Sequence, residues 1–315
     1  MDDEDINNQR FESLSIQGKE SAFFTELLRE VEALCETLGI KDKQRIADNL
    51  ERLWLPIALD MVVKRNKLNR TFIQGILGGQ GTGKTTLCLI LRHILSYLSY
   101  STATLSIDDL YLTYAERQAL QQQDPRLIWR GPPGTHDVTL GIETIEQCLQ
   151  GDSNSKILLP RFDKSAFNGQ GDRTTPEAIL KPDILLFEGW FVGVQPLQYP
   201  VRFPLPIVTE LDKQFARDNN QRLQAYLPLW DKLDSLIVLY PEDYRLSQQW
   251  RKEAEQKMIA TKKTGMSDEE CDRFVNYFWK ALHPELYIKP LIQTADLVVE
   301  IKGDRSCKAR SLNNE

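Results

Sequence analysis

Eight residues constrain this chain more than anything else in it: Gly78-Gly79-Gln80-Gly81-Thr82-Gly83-Lys84-Thr85. The string fits G-x-x-x-x-G-K-[ST], in which glycines let the backbone turn with its N–H groups facing inward around an anion. The context also fits. An apolar stretch, residues 72–77, feeds the turn, and a helical stretch from residue 85 to 95 or beyond leads out of it. Such a turn holds phosphate oxygens at a helix N-terminus. Gly78, Gly79, Gln80, Gly81, Thr82, Gly83, Lys84, Thr85 and Thr86 are therefore the expected nucleotide contacts. Lys84 is expected to reach the β- and γ-phosphates, and the Thr85 hydroxyl to hold Mg2+.

Around this turn, short apolar or β-branched runs alternate with long helical stretches. The runs fall at residues 71–77, 102–107, 157–159, 183–187, 235–240 and 297–301. Alternation of this kind predicts an α/β fold, a parallel sheet flanked by helices. The runs are continuous rather than alternating, as strands covered on both faces should be. Residues 1–70 read as a helical extension: Phe23, Phe24, Leu27, Leu28, Val31, Leu34 and Leu38 recur at helical spacing, and Pro56 should break or kink a second stretch. Between Gly131 and Arg173, glycines and prolines gather among polar residues. The two ends, G-P-P-G-T-H-D and D-K-S-A-F-N-G-Q-G-D-R, read as long loops beside a site. Residues 304–315 read as a tail.

Composition narrows the function. Asp and Glu number 45 against 39 Lys and Arg, a net charge of −6, which argues against a general nucleic-acid binder. No apolar run is long enough for a membrane span, and the acidic opening M-D-D-E-D lacks the features of a targeting segment. Five scattered cysteines with no C-x-x-C, beside three histidines, predict reduced thiols in a cytoplasmic protein and no structural zinc.

Two further strand ends carry acids. Ser106-Ile107-Asp108-Asp109-Leu110-Tyr111 places Asp108 where strand ends line a ligand crevice. It could accept a proton from an alcohol or cap a turn, and position alone leaves both open. The run Ile184-Leu185-Leu186-Phe187-Glu188-Gly189-Trp190 ends a hydrophobic strand in an acid. That is where a phosphate-transfer enzyme keeps its second metal-side group, so Glu188 joins Thr85 as a candidate Mg2+ ligand.

Taken in order, the phosphate turn, S-x-D-D-x-Y, R-G-P-P-G-T-H-D, P-R-F-D-K-S, G-x-G-D-R and L-L-F-E-G-W resemble the P-loop small-molecule kinases, the group of uridine kinase, phosphoribulokinase and pantothenate kinase. Within that group the sequence is most similar to D-glycerate 3-kinases of the plant and cyanobacterial type, over residues 71–303. The resemblance implies a P-loop NTPase-type sheet with a lid at residues 244–264. It implies ATP and Mg2+ as cofactors, and γ-phosphoryl transfer to D-glycerate, a small-molecule partner. It also implies catalytic roles for Lys84, Asp108 (with Asp109 as the alternative), Glu188 and a lid arginine, Arg251 or Arg245. An acceptor with a carboxylate and two hydroxyls needs cationic clamps and hydrogen-bonding groups. Arg130, His136, Asp137, Arg161, Asp163, Lys164 and Arg173 stand in the two loops that could supply them, with Asp108. The rival readings are a kinase for another small alcohol and a non-catalytic ATP-binding switch.

Overall fold

In the computed structural model, which describes residues 22–152, 154–198, 202–260 and 265–311, the chain forms two compact units. Residues 1–21, the opening of the expected helical extension, lie outside the described residues, as do 261–264 of the expected lid and 312–315 of the expected tail.

The first unit holds the residues up to Phe72, Thr85–Ala103 and Pro182–Ile184. Helix α1 (Ala22–Thr37) buries Phe24, Leu27, Val31 and Cys35, one stripe at helical spacing. Helix α2 (Lys43–Asn49) starts at Asp42, whose carboxylate accepts the Arg45 N–H. It passes through a π-helical turn, Leu50–Trp54, into α3 (Leu55–Leu68). Pro56, expected to break or kink this stretch, sits in the first turn of α3. The wider turn before it, in which Leu55 N–H bonds to Leu50 O, accommodates a residue with no N–H to give. Helix α4 (Lys84–Tyr97) lays Leu87, Cys88, Ile90, Leu91, Ile94 and Leu95 inward. Asp183 ties this unit together: one oxygen takes Arg65 Nη2 at 2.5 Å, the other the N–H and hydroxyl of Ser101 at 2.9 and 2.7 Å.

The second unit holds Ile73–Lys84, Thr104–Lys181 and the residues from Leu185 onward. The strands of the chain are β1 (Phe72–Gly78), β2 (Thr102–Ser106), β3 (Lys156–Asp163), β4 (Asp172–Leu180), β5 (Ile184–Gly189), β6 (Ser235–Pro241), β7 (Leu297–Ile301) and β8 (Cys307–Ser311). Six of them form a sheet in the order β2-β5-β1-β6-β7-β8. β6 runs parallel to β1 and to β7, with Gly78 opposite Leu239 and Tyr240 opposite Glu300. Every residue of β1 and β5 is buried, which is why both read as unbroken apolar runs.

Two readings need correction. The segment read as a tail carries β8, an antiparallel edge strand on β7. The run at 157–159 is no part of the parallel sheet; it belongs to β3, which pairs antiparallel with β4 in a separate ribbon. Ile157 and Leu159 are buried while Leu158 is exposed, the alternation of a strand with one wet face, and three residues are too few to display it. β4 escapes notice because it is polar and contains Pro176. The ladder shifts register between Leu159 and Arg161, so Pro160 falls where pairing is interrupted. Between the two irregular ends of the 131–173 region lie a helix, α6, described below, and β3, and the second end is the turn that joins β3 to β4.

Helix α5 (Tyr114–Gln123) opens with a capping box between Thr113 and Glu116, and α6 (Val138–Gln150) is capped by Asp137. Next come α7 (Glu210–Arg222), α8 (Leu246–Ala260), which lies in the expected lid, and α9 (Asp268–Ala281). No helix among the described residues is long and apolar enough to cross a membrane. Arg117 of α5 fixes the ribbon: its buried guanidinium donates to Leu112 O, Gln170 O and Gly171 O at 2.6, 2.7 and 2.6 Å and lies over Phe162. Arg117→Met would take this donor from Leu112 O and Gly171 O in a dry site, while Gln170 O keeps Arg130. We expect a stability loss of about 2–4 kcal/mol in urea denaturation.

Candidate active site

β1 delivers the chain to Gly78 at the end of a buried strand. The turn that follows satisfies itself: Thr82 Oγ1 and Lys84 Nζ both donate to Gly79 O, at 2.8 and 3.1 Å. Gly81 takes φ +75°, and a Cβ there would lie 2.9 Å from the Cβ of Trp250 on α8. Helix α8 thus rests on the turn. Arg305 joins them, donating to Gly81 O (3.2 Å) and Glu253 Oε2 (3.1 Å) with its guanidinium over the Trp250 ring. Beside Gly79 and Gln80 lies an apolar recess walled by Trp190, Tyr240, Tyr244 and Trp279.

β2 ends in a 3-10 turn, Ile107–Leu110, and the adjacent acids divide their work. Asp109 completes a capping box with Ser106, accepting its N–H at 3.0 Å, and also takes Arg161 Nη1 at 3.0 Å. Burial pushes its carboxyl up, against Ser106 and Arg161. Asp108 is left to other partners: Oδ1 accepts the Tyr111 hydroxyl at 2.8 Å, and Oδ2 the Lys164 ammonium at 2.5 Å. Burial pushes Asp108 up too, but the charge and hydrogen bond of Lys164, helped by Tyr111 and His136, hold it below the ordinary carboxylate value.

Tyr111 is the hub of the surroundings. His136 stacks on its ring at 4.6 Å between centroids, and the Arg130 guanidinium lies over it at 5.9 Å. Arg173 Nε donates to its carbonyl at 3.0 Å. Arg130 also donates to Gly169 O and Gln170 O, at 2.7 and 2.9 Å. Arg173 pairs with Asp137 Oδ2 at 2.8 Å, while Asp137 Oδ1 accepts the Leu140 N–H. His136 is 5% exposed. Its Nδ1 lies 2.8 Å from Tyr226 Oη, which accepts the Gly134 N–H at 2.9 Å and faces the His136 backbone. With backbone donors on its oxygen, the tyrosine gives its own proton to Nδ1, and Nε2 carries the ring proton. That Nε2 is buried and has no partner among the described residues. Trp190 Nε1 donates to Gly131 O at 3.2 Å, joining the end of β5 to this loop. Glu188, two residues earlier, is 9% exposed.

A scan of protein-family models matched none. Among curated proteins, the chain is 36% identical over 243 residues to the chloroplastic D-glycerate 3-kinase of Arabidopsis thaliana. That alignment takes in 73% of this chain and 52% of the plant protein, so the chain spans about half of that relative's length. It is 35% identical over 220 residues to the uncharacterized kinase mug58 of Schizosaccharomyces pombe, covering 66% of this chain and 79% of that one. Among solved structures, a D-glycerate 3-kinase from Cryptococcus neoformans superposes with a TM-score of 0.70 at 26% identity, over 81% of this chain and 96% of that one. The chain belongs to the D-glycerate 3-kinase family of P-loop kinases.

Within this chain the structure gathers Asp108, Arg130, His136, Lys164 and the Arg173–Asp137 pair around Tyr111. It engages other expected site residues elsewhere. Arg161 clamps the ribbon to β2, bonding Asp109, Glu177 Oε2 (2.7 Å) and Thr104 O (3.0 Å). Asp163 is exposed and shapes the ribbon's turn by accepting the N–H and hydroxyl of Ser165, which hold its carboxyl low. Arg245 is exposed and forked onto Asp243. Arg251 pairs with the buried Glu255, lies over Phe274, and keeps a buried Nε with no partner among the described residues. Tyr226, Trp250 and Arg305 were not singled out. Arg305 sits in a polar turn, and Tyr226 reads as an ordinary core aromatic.

Burial pushes the His136 pKa down to about 3, with Asp108 only a partial counterweight. An unfolded histidine titrates near 6.5. Between those values the unfolded chain binds a proton that the folded state refuses, so stability falls as pH drops through the window. The slope is about 1.4 kcal/mol per pH unit. Urea denaturation from pH 7 to 4 should show a flatter dependence for His136→Gln, and 15N NMR should show the Nε2–H tautomer from pH 5 to 8.

Proposed function

We propose that this chain transfers the γ-phosphoryl group of ATP to a hydroxyl of D-glycerate, giving 3-phosphoglycerate. The observation that carries the reading is Asp108. It is an ionised carboxylate at a strand end, steadied by Tyr111 and paired with the Lys164 ammonium, with the Arg130 guanidinium over the Tyr111 ring, in a chain whose relatives include named D-glycerate 3-kinases.

The turn's backbone N–H groups cradle the β- and γ-phosphates, and Lys84 exchanges Gly79 O for phosphate oxygen. The acceptor's carboxylate and free hydroxyl meet cations and donors: Arg130, Lys164 and His136 Nε2–H. Asp108 takes the proton of the hydroxyl that attacks phosphorus, the acid–base step such a group supplies. Arg251 follows from the same reading as the lid arginine that steadies phosphate charge, and its partnerless Nε is consistent with a group awaiting one. Thr85 and Glu188 fit Mg2+, a hard cation that takes oxygen donors. Bound there, it would neutralise charge on the phosphates. Four buried cysteines that form no disulfide accord with a cytoplasmic setting.

Coupled ADP detection over a panel of acceptors tests the assignment. D-glycerate should drive ADP release, while pantothenate, nucleosides and sugar phosphates should not. Acceptor-independent binding of ATP with no turnover would replace the kinase by a switch. Lys84→Ala should abolish turnover with the circular dichroism spectrum unchanged. Asp108→Asn should lower kcat by about 10²–10⁴-fold with ATP affinity little altered, and near-normal kcat would refute its role as base.

A further inference from the structure

We propose that Lys164 senses the acceptor's carboxylate, closing Asp108 in the empty site and releasing it only to an acceptor that brings a negative charge of its own. The inference deepens the glycerate reading above and rests on it.

Both oxygens of Asp108 are occupied. Tyr111 holds Oδ1, and Lys164 holds Oδ2. An ammonium on one of an oxygen's two lone-pair sites lowers the basicity of that oxygen, so a hydroxyl proton is accepted more readily once one partner leaves. Tyr111 is fixed: it is buried, stacked on His136 and packed edge-on against Phe162. Lys164 is not. Its side chain is 60% exposed and projects from the turn between β3 and β4. Oδ2 is therefore the oxygen that opens.

What draws Lys164 away has to compensate an ammonium, and a carboxylate does so where a neutral alcohol does not. The other groups facing Asp108 are poorly suited to the task. His136 is neutral, and Tyr111 keeps its proton because burial and Asp108 both push its pKa up. Once Lys164 pairs with the acceptor, burial of Asp108 is no longer offset by that charge, so its affinity for a proton rises as a proton arrives. The acceptor O–H bond then breaks toward Oδ2 as the new O–P bond forms and the bond from γ-phosphorus to its bridging oxygen breaks. ADP leaves with that electron pair, and Asp108 returns its proton to solvent after the product departs. Carboxylate binding and base activation become one event, which makes Lys164 a specificity-determining residue.

The experiment compares D-glycerate with glycerol, which keeps the hydroxyls and lacks the charge, in the wild-type protein and Lys164→Met. The wild-type protein should favour D-glycerate by at least about 10³-fold in kcat/KM. In Lys164→Met, kcat/KM for D-glycerate should fall about 10²-fold or more while that for glycerol holds or rises, so the ratio collapses. An equal fall for both acceptors overturns the proposal, since it marks Lys164 as acting on phosphate or on the fold. A second measurement needs no turnover. Carboxyl 13C NMR should show the Asp108 pKa rising by at least about one unit on saturation with D-glycerate, and no change with glycerol or in Lys164→Met. If D-glycerate is neither bound nor phosphorylated, the acceptor assignment fails by itself, and lactate and glycolate serve as probes in the same titration. Silence of Asp108 toward every hydroxy acid then overturns the sensor as well.

Discussion

A strand buried along its whole length can end only where its last peptide groups find partners, and β1 meets that condition through the turn it feeds. Gly79 O is the focus, taking hydrogen bonds from Thr82 and Lys84. The lysine that a phosphate would need is thus held within the turn by a neutral carbonyl, a weaker partner than an anion. Trp250 and Arg305 fix the turn from the other side. The phosphate cradle is therefore shaped before any anion arrives, and binding has to displace one hydrogen bond rather than reorganise a loop. Preorganisation of this kind is where electrostatic catalysis gains most of its advantage.

The same economy governs the charged residues near Tyr111. Arg117 and Arg161 are committed to carbonyls and carboxylates that hold the β3–β4 ribbon in place. Asp109 is committed to its turn. Because those contacts are made, the residues beside them are available: Asp108 next to Asp109, and Arg130 and Lys164 on the two sides of the ribbon's turn. A pair of adjacent acids on one short turn would repel each other if both faced the same cavity. The capping box turns one back and leaves the other to Tyr111 and Lys164.

Local features were legible and long-range ones were not. The phosphate turn, the buried runs of β1 and β5, the α1 stripe and the acid of Glu188 each announce themselves within a few consecutive residues. The ribbon hid because β4 is exposed and polar and because both its strands contain proline. The π-helical turn before Pro56 hid because a proline in a helical pattern signals a break without saying how the backbone absorbs it. In the candidate site, the two loops and most of their residues stood out by composition, but their partners did not. Lys164 meets Asp108 across 56 positions and His136 meets Tyr226 across 90, and nothing in either neighbourhood encodes those meetings. Arg161 and Asp163 looked no different in sequence from Arg130 and Asp137, since a charged loop residue holding the loop and one facing a ligand share the same composition.

Charge around Tyr111 can be followed pair by pair. Arg173 is matched by Asp137, and Lys164 by Asp108. Arg130 lies near both pairs and donates to carbonyls, with no carboxylate at ion-pair distance among the described residues. His136 adds no charge at neutral pH. The sum over these groups is one excess positive charge in a chain whose net charge is −6. The overall acidity repels anions at long range, where salt screens it within about 8–10 Å. The local excess acts at contact distance and partly out of water, where it is screened far less. Any anion would therefore meet that attraction only at contact distance, so the field of the whole molecule does little to choose it. The choice falls to the few side chains that touch it.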